Sequence, residues 1–160
     1  MRRSCALLAA ALALGETGPA QAAGVDLVLS HGSVQHGAPC SPFSPIGHFP
    51  WIRAGETWQF AVYTAPLTTH LILFGPPPTS SSAIPGIENL LLVHVPISIP
   101  IVGVTGPLDP ASACSQGRSA YLLTVPPGPS PGYDFSVQLL GLSSTTGNWA
   151  FATNHWLTYL

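Results

Sequence analysis

The stretch Asp134-Phe135-Ser136-Val137-Gln138-Leu139-Leu140 alternates between apolar and polar side chains as far as Leu139. A period of two is typical of a β-strand that buries one face. We therefore predict that Phe135, Val137 and Leu139 face a core. Ser136 and Gln138 are predicted to point to the other side of the strand.

The same alternation recurs on the N-terminal side of this stretch. Residues 57–63 place Trp58, Phe60 and Val62 on one face, and residues 119–125 alternate in the same way. A last strand is predicted over residues 149–159, broken near Asn154, with Trp156 and Tyr159 on opposite faces. Further short apolar runs occupy residues 70–74, 90–95, 97–99 and 101–104.

Turn-forming residues separate these runs and exclude long helices. The chain contains 16 glycines and 18 prolines, which suit many short strands joined by turns. Pro96 and Pro100 restrict their segment to the edge, end or bulge of a sheet. The pattern predicts an all-β fold, a single antiparallel β-sandwich of jelly-roll or immunoglobulin-like topology. The predicted organisation is an N-terminal strand and Pro/Ser-rich loop over residues 23–50, followed by the sandwich over residues 51–160.

Residues 1–22 have the pattern of a removable, bacterial-type signal peptide. Arg2 and Arg3 precede a short apolar segment, residues 5–14, and Ala20-Gln21-Ala22 forms a small-residue cleavage site. The apolar segment is too short to span a bilayer. We therefore predict cleavage after Ala22 or Ala23 and a periplasmic or extracellular location; an uncleaved anchor is the alternative.

The charges of the chain exclude several classes of partner. Only 6% of all residues are charged, and lysine is absent. After the predicted cleavage, two arginines face five carboxylates, a net charge of 2 − 5 = −3. Because no basic patch can form, neither nucleic acid nor an anionic membrane surface is an expected partner. No integral membrane span is predicted in the mature chain, and a surface protein or a glycan is the expected class of partner.

Two cysteines, Cys40 and Cys114, remain after the predicted cleavage. In an oxidising compartment a disulfide between them is the first expectation. Two unpaired thiols, one buried and one in a loop, are the alternative.

The sequence offers no clear catalytic or metal-binding constellation. His31, His36 and Cys40 are potential zinc ligands, but their spacing matches no standard zinc module. No G-x-S-x-G motif, glycine-rich phosphate loop or paired carboxylate spacing is present. We therefore expect no catalytic residues, no metal and no cofactor. Trp51 and Trp156 are the candidate ligand-binding residues, since exposed tryptophans stack on sugar rings.

Several segments of the chain together match a known pattern: the small-residue-plus-Cys segment 36–40, the first strand region 50–60, the leucine-rich segments 71–75 and 90–93, and the final segments 135–140 and 147–154. In these segments the chain resembles a family of uncharacterised exported β-domains of large-genome bacteria. The resemblance implies a β-sandwich core. It carries no known activity over to this chain.

These observations lead to one functional prediction and two alternatives. The leading prediction is a non-enzymatic envelope or extracellular module with a structural or interaction role. The first alternative is a β-sandwich that binds a carbohydrate or another ligand. A secreted hydrolase is the second alternative.

Overall fold

The computed structural model describes residues 24–44, 47–127 and 131–160. The predicted signal peptide and its cleavage site, residues 1–23, lie outside the described residues. The elements found in the described part of the chain are strands: β1 Asp26–His31, β2 Val34–His36, β3 Trp51–Ile52, β4 Thr57–Thr64, β5 Thr69–Gly75, β6 Ser82–Ala83, β7 Leu90–Leu91, β8 Ser98–Val104, β9 Gly117–Thr124, β10 Asp134–Leu142, β11 Trp149–Phe151 and β12 His155–Tyr159. Within the same residues, no helix is long and apolar enough to cross a bilayer.

The strands form a β-sandwich, which confirms the predicted fold class. The first sheet has the order β2-β1-β4-β9, and the second has the order β3-β12-β10-β5-β8, with β11 also paired to β10. A small hairpin, β6-β7, lies outside both sheets. The pairing is antiparallel except between β3 and β12, which are parallel. Pro100 lies in β8, an edge strand of the second sheet, where a residue without a backbone N–H is tolerated.

The core between the sheets is built from the residues that alternation predicted. Val137 and Leu139 are fully buried in it, and Phe135 packs against it while remaining partly exposed. Trp58 and Phe60 of β4 face them from the first sheet. The register of β10 predicted from the sequence is therefore confirmed.

The other face of β10 is also buried, which the alternation of its side chains did not predict. Residues 76–97 and β11 cover this face and form a second apolar cluster around Leu73, Val93 and Phe151. Gln138 is fully buried beneath them. Its Oε1 accepts a hydrogen bond from the Leu92 N–H at 2.8 Å, and its Nε2 donates to the Leu90 carbonyl at 2.9 Å. The polar residue thus ties the covering segment to the sheet.

Replacing Val137 by Ala is expected to lower the free energy of unfolding by about 1–3 kcal/mol, through lost burial and a residual cavity. Urea unfolding of the purified protein measures this change. Leu122→Ala is the control, because Leu122 is 71% exposed and should cost less than about 0.5 kcal/mol. Equal effects of the two substitutions would contradict the packing described here.

Candidate ligand-binding site

An apolar slot opens between the two sheets at the end where β4 begins and β9 ends. Its cavity has a volume of about 380 Å³. The first sheet contributes Trp58, Phe60 and Leu123, and the second contributes Phe74, Phe135 and Leu157. We refer to the space between these six side chains as the slot.

A second cavity of about 260 Å³ adjoins the slot. Both cavities are lined by Ile52, Phe74, Val125, Pro126 and Phe135. Because they share these walls, they are neighbouring parts of one apolar region. Tyr133 and Tyr159 line the second part only.

Aromatic rings form much of the slot wall. Phe74 lies between Phe60 and Phe135, with ring centroids 5.9 Å and 6.2 Å away. Phe74 and Phe135 are only half-buried, so their rings are accessible from the solvent. The slot walls are therefore polarisable aromatic rings. These rings are accessible to water but offer it no conventional hydrogen-bonding groups.

Trp58 is held in place by contacts with residues that do not line the slot. Its Nε1 donates a hydrogen bond to Glu56 Oε2 at 3.1 Å. The rings of His31 and His36 stack on it at centroid distances of 5.3 Å and 5.9 Å. The wall that Trp58 provides is consequently rigid before any ligand arrives.

The slot carries no ionisable group among the side chains that line it in the described part of the chain. Two lining residues carry hydroxyls, Ser98 and Thr124. The Thr124 side chain lies on the outer face of β9 beside Leu122, because Leu123 and Val125 point inward. Thr124 Oγ1 lies 3.1 Å from Thr57 Oγ1. An ion placed here would lose its hydration without gaining a counter-charge.

Three histidines, His36, His48 and His155, gather along one side of the sandwich. The rings of His48 and His155 stack at 5.0 Å, and His36 lies 6.4 Å from His48 in an edge-to-face contact. Burial lowers the pKa of His36 and of His48, and the neighbouring His48 lowers that of His36 further. These rings are therefore kept neutral at physiological pH.

His155 joins the two sheets of the sandwich. Its Nε2 lies 2.7 Å from the Leu27 carbonyl oxygen. Since a carbonyl oxygen only accepts, Nε2 carries the proton, and Nδ1 is buried without a partner among the described residues. Protonating Nδ1 would bury an unpaired N–H and a charge, and burial accordingly lowers the pKa of His155 to about 3.

His70 makes a comparable link farther along the sandwich. It is fully buried, and its Nε2 lies 2.8 Å from the hydroxyl of Tyr121 in the opposite sheet. Burial lowers its pKa. His94, by contrast, is exposed in the segment that covers β10.

The potential zinc ligands of the sequence are not brought together as a metal site. Cys40 is bonded to Cys114, with a Cα–Cα distance of 5.6 Å, so its thiolate is not available. Over the described ranges, no group of three or more His, Cys, Asp or Glu side chains is arranged to hold a metal ion. The disulfide expected from the sequence is confirmed.

The loops joined by the disulfide also converge on Asp26. This buried carboxylate accepts hydrogen bonds from Cys40 N at 2.8 Å, Ser41 Oγ at 2.8 Å and Gln116 Nε2 at 2.7 Å. Burial raises the pKa of Asp26, and these donors oppose that change. Asp26 pairs with Tyr63 near the end of β4, whereas the slot opens where β4 begins. The disulfide therefore lies at the opposite end of the sandwich.

Trp51 and Trp156, the two candidate ligand-binding residues of the sequence, lie near each other but outside the slot. Both are on the outer face of the second sheet, on the neighbouring strands β3 and β12. Trp51 is 68% exposed and Trp156 is half-buried. As predicted, Trp156 and the buried Tyr159 fall on opposite faces of β12.

No family model matches the chain. No curated protein matches it either. The family resemblance described from the sequence therefore stays a prediction.

One solved structure with a detectable likeness is an AA10 lytic polysaccharide monooxygenase from Streptomyces lividans. The identity is 14% and the TM-score 0.39, over 74% of this chain and 67% of that chain. The sequence predicted a non-enzymatic module with a structural or interaction role. This comparison contradicts that prediction, because the matched protein is an enzyme. A likeness at this TM-score assigns no reaction to the present chain.

The slot was missed by the sequence analysis because its walls resemble an ordinary core. Trp58, Phe60 and Phe135 sit at the apolar positions of alternating strands, and alternation reports the face of a strand only. Whether the facing sheets touch or leave a gap depends on their separation. The distance between two sheets cannot be predicted from the sequence of either strand alone.

Proposed function

We propose that this protein binds a small, uncharged, largely apolar molecule in the slot. The observation that carries the proposal is the open cavity of about 380 Å³ between aromatic walls. Protein interiors are packed about as densely as organic crystals, with few voids larger than a water molecule. A gap of this size between two packed sheets has the volume of a ligand site.

The size and polarity of the slot define the chemical class of the ligand. The volume lies at the lower end of the range of about 300–1,000 Å³ found for small-molecule sites. It suits a single hydrocarbon chain or a pair of fused rings. Ser98, an exposed residue that lines the slot, offers a hydroxyl to one neutral polar group, such as an alcohol or an ester. A carboxylate at the same place would find no cation among the lining residues.

We also propose that the protein acts outside the cytoplasm. The Cys40–Cys114 disulfide is typical of oxidising compartments. The signal-peptide pattern of residues 1–22 supports the same location.

The neutral fluorescent probe N-phenyl-1-naphthylamine tests the proposal directly. We expect its fluorescence to rise on addition of the protein, and dodecanol to displace it at least about tenfold more effectively than dodecanoate at pH 7.5. The reason is that the slot has apolar walls and no counter-charge for the carboxylate. Bound dodecanol should also raise the melting temperature, because it binds the folded state alone.

Two substitutions on one strand provide a matched pair. Leu123→Phe fills the slot, whereas Leu122→Phe adds the same bulk to the outer face, where Leu122 is 71% exposed. Probe binding should fall at least about tenfold in the first variant and stay unchanged in the second. Equal binding by both folded variants, or stronger displacement by dodecanoate than by dodecanol, would refute the proposal.

A further inference from the structure

Three aromatic side chains lie together on the outer face of the second sheet, well away from the slot. They are Phe49, Trp51 and Trp156, and we call them the aromatic platform. The backbone holds them there: Trp156 N–H donates to the His48 carbonyl at 2.7 Å, and Thr158 N–H donates to the Pro50 carbonyl at 3.1 Å. Parallel pairing places residues 49, 51, 156 and 158 on one face.

The inner face of the same strands is buried. Pro50 and Ile52 turn inward, as do Leu157 and Tyr159 of β12. Core packing on its underside therefore anchors the platform. Trp51 and Trp156 lie on strands β3 and β12, and Phe49 lies just before β3. A rigid surface loses little conformational entropy when a ligand binds.

The platform is exposed and extended. Trp51 is 68% exposed and Phe49 57%, and the ring centroids of Phe49 and Trp156 are 5.7 Å apart at an angle of 46°. Side chains two residues apart on a strand are separated by about 7 Å. The rings thus form a surface that can support more than one small ring of a ligand.

A carboxylate and a hydroxyl border the aromatic platform on the same face. Asp134 of β10 pairs with Thr158 of β12, and Thr158 Oγ1 donates a hydrogen bond to Asp134 Oδ1 at 2.7 Å. An ionised carboxylate has about four acceptor sites. Asp134 therefore retains acceptor capacity for hydroxyl donors of a ligand.

From this combination we infer that the aromatic platform binds a neutral polysaccharide chain. A pyranose ring presents a C–H face that stacks on an aromatic ring and equatorial hydroxyls that donate to a carboxylate. A hydrocarbon surface would strip water from Asp134 without replacing its hydrogen bonds. Single-stranded nucleic acid needs cations along its phosphates, and residues 24–160 hold two arginines against five carboxylates.

Native electrophoresis through gels that contain a soluble polysaccharide measures this binding. The probes are hydroxyethylcellulose, glucomannan, xylan and laminarin, and microcrystalline cellulose and chitin are used in sedimentation assays. We expect retardation or co-sedimentation with at least one of them. Trp51→Ala should weaken the binding at least about tenfold and Asp134→Asn should weaken it measurably. Trp149→Ala, which removes a 39% exposed indole from β11, should leave binding unchanged.

Three results would overturn the inference. The first is absence of binding to all six polysaccharides. The second is equal binding by the Trp51→Ala and Trp149→Ala variants. The third is a Trp51-dependent association with phosphatidylcholine vesicles in place of polysaccharide. Leu123→Phe, which fills the slot, should keep full polysaccharide binding, so this result is separate from the proposed ligand of the slot.

Discussion

Reduction of the Cys40–Cys114 disulfide is expected to lower the free energy of unfolding by about 4 kcal/mol. The two cysteines are 74 residues apart, and the loss of loop-closure entropy from the unfolded chain gives this figure as an upper value. The folded state keeps its loops in place, since Asp26 holds both Cys40 and Gln116 by hydrogen bonds. This effect is a large share of the total free energy of unfolding of a domain, which is about 5–15 kcal/mol.

Urea unfolding with and without dithiothreitol measures the contribution of the disulfide. The double variant Cys40→Ser, Cys114→Ser is the control, because the reductant should not change its unfolding midpoint. Oxidised and reduced wild-type proteins whose stabilities agree within about 1 kcal/mol would show that residual structure in the unfolded chain cancels the effect.

Acid is expected to destabilise the fold by a similar amount, through His155. The unfolded chain takes up a proton on this imidazole near its ordinary pKa of 6.5, whereas the folded chain holds the pKa at about 3. Stability from this group is therefore complete above about pH 6.5, falls as the pH drops, and is lost near pH 3. At about 1.4 kcal/mol per pKa unit, the total is on the order of 4–5 kcal/mol, of which about 3 kcal/mol is gone at pH 4.

Other groups add to this dependence or oppose it. The lowered pKa values of His36 and His48 act in the same direction. Asp26 has a raised pKa, so its contribution is largest at low pH and partly offsets the loss. A comparison of variants isolates the share of His155.

His155→Gln supplies that comparison, since its side-chain amide can still donate to the Leu27 carbonyl but does not titrate. We expect this variant to be less stable than the wild type at pH 7 and to lose less stability between pH 7 and pH 4. His94→Gln, at an exposed position, should follow the wild-type curve. Parallel curves for wild type and His155→Gln, measured by urea unfolding, would place the acid sensitivity elsewhere.

The strands and their inward faces could be predicted because they depend on local sequence. The period of two around Val137 assigns each side chain to a face, and the structure agrees. Which segment covers a given face of a strand depends on residues that are distant in the sequence. Gln138 is polar, yet residues 76–97 fold over it and satisfy its amide. No local pattern distinguishes a polar residue that meets water from one that meets a covering segment.

The candidate sites were predictable only in part, for the same reason. Trp156 could be assigned to the outer face of its strand from its neighbours. The contact of Phe49 with Trp156 arises from the parallel pairing of β3 with β12. These two strands are far apart in the sequence. The histidine group depends in the same way on distant strands, since His48 and His155 form a bridge between them.

The strand order of the second sheet has a consequence for how the chain reaches this fold. Its central strand β10 and its neighbour β12 come last in the sequence, and β12 also supplies the partner of β3 near the start. A nascent chain therefore leaves β3 without its partner until β12 has been synthesised. Until β10 follows, β5 can pair with β8 alone. Contacts that close such long loops also form slowly. The second sheet can therefore be completed only after nearly the whole chain has been synthesised.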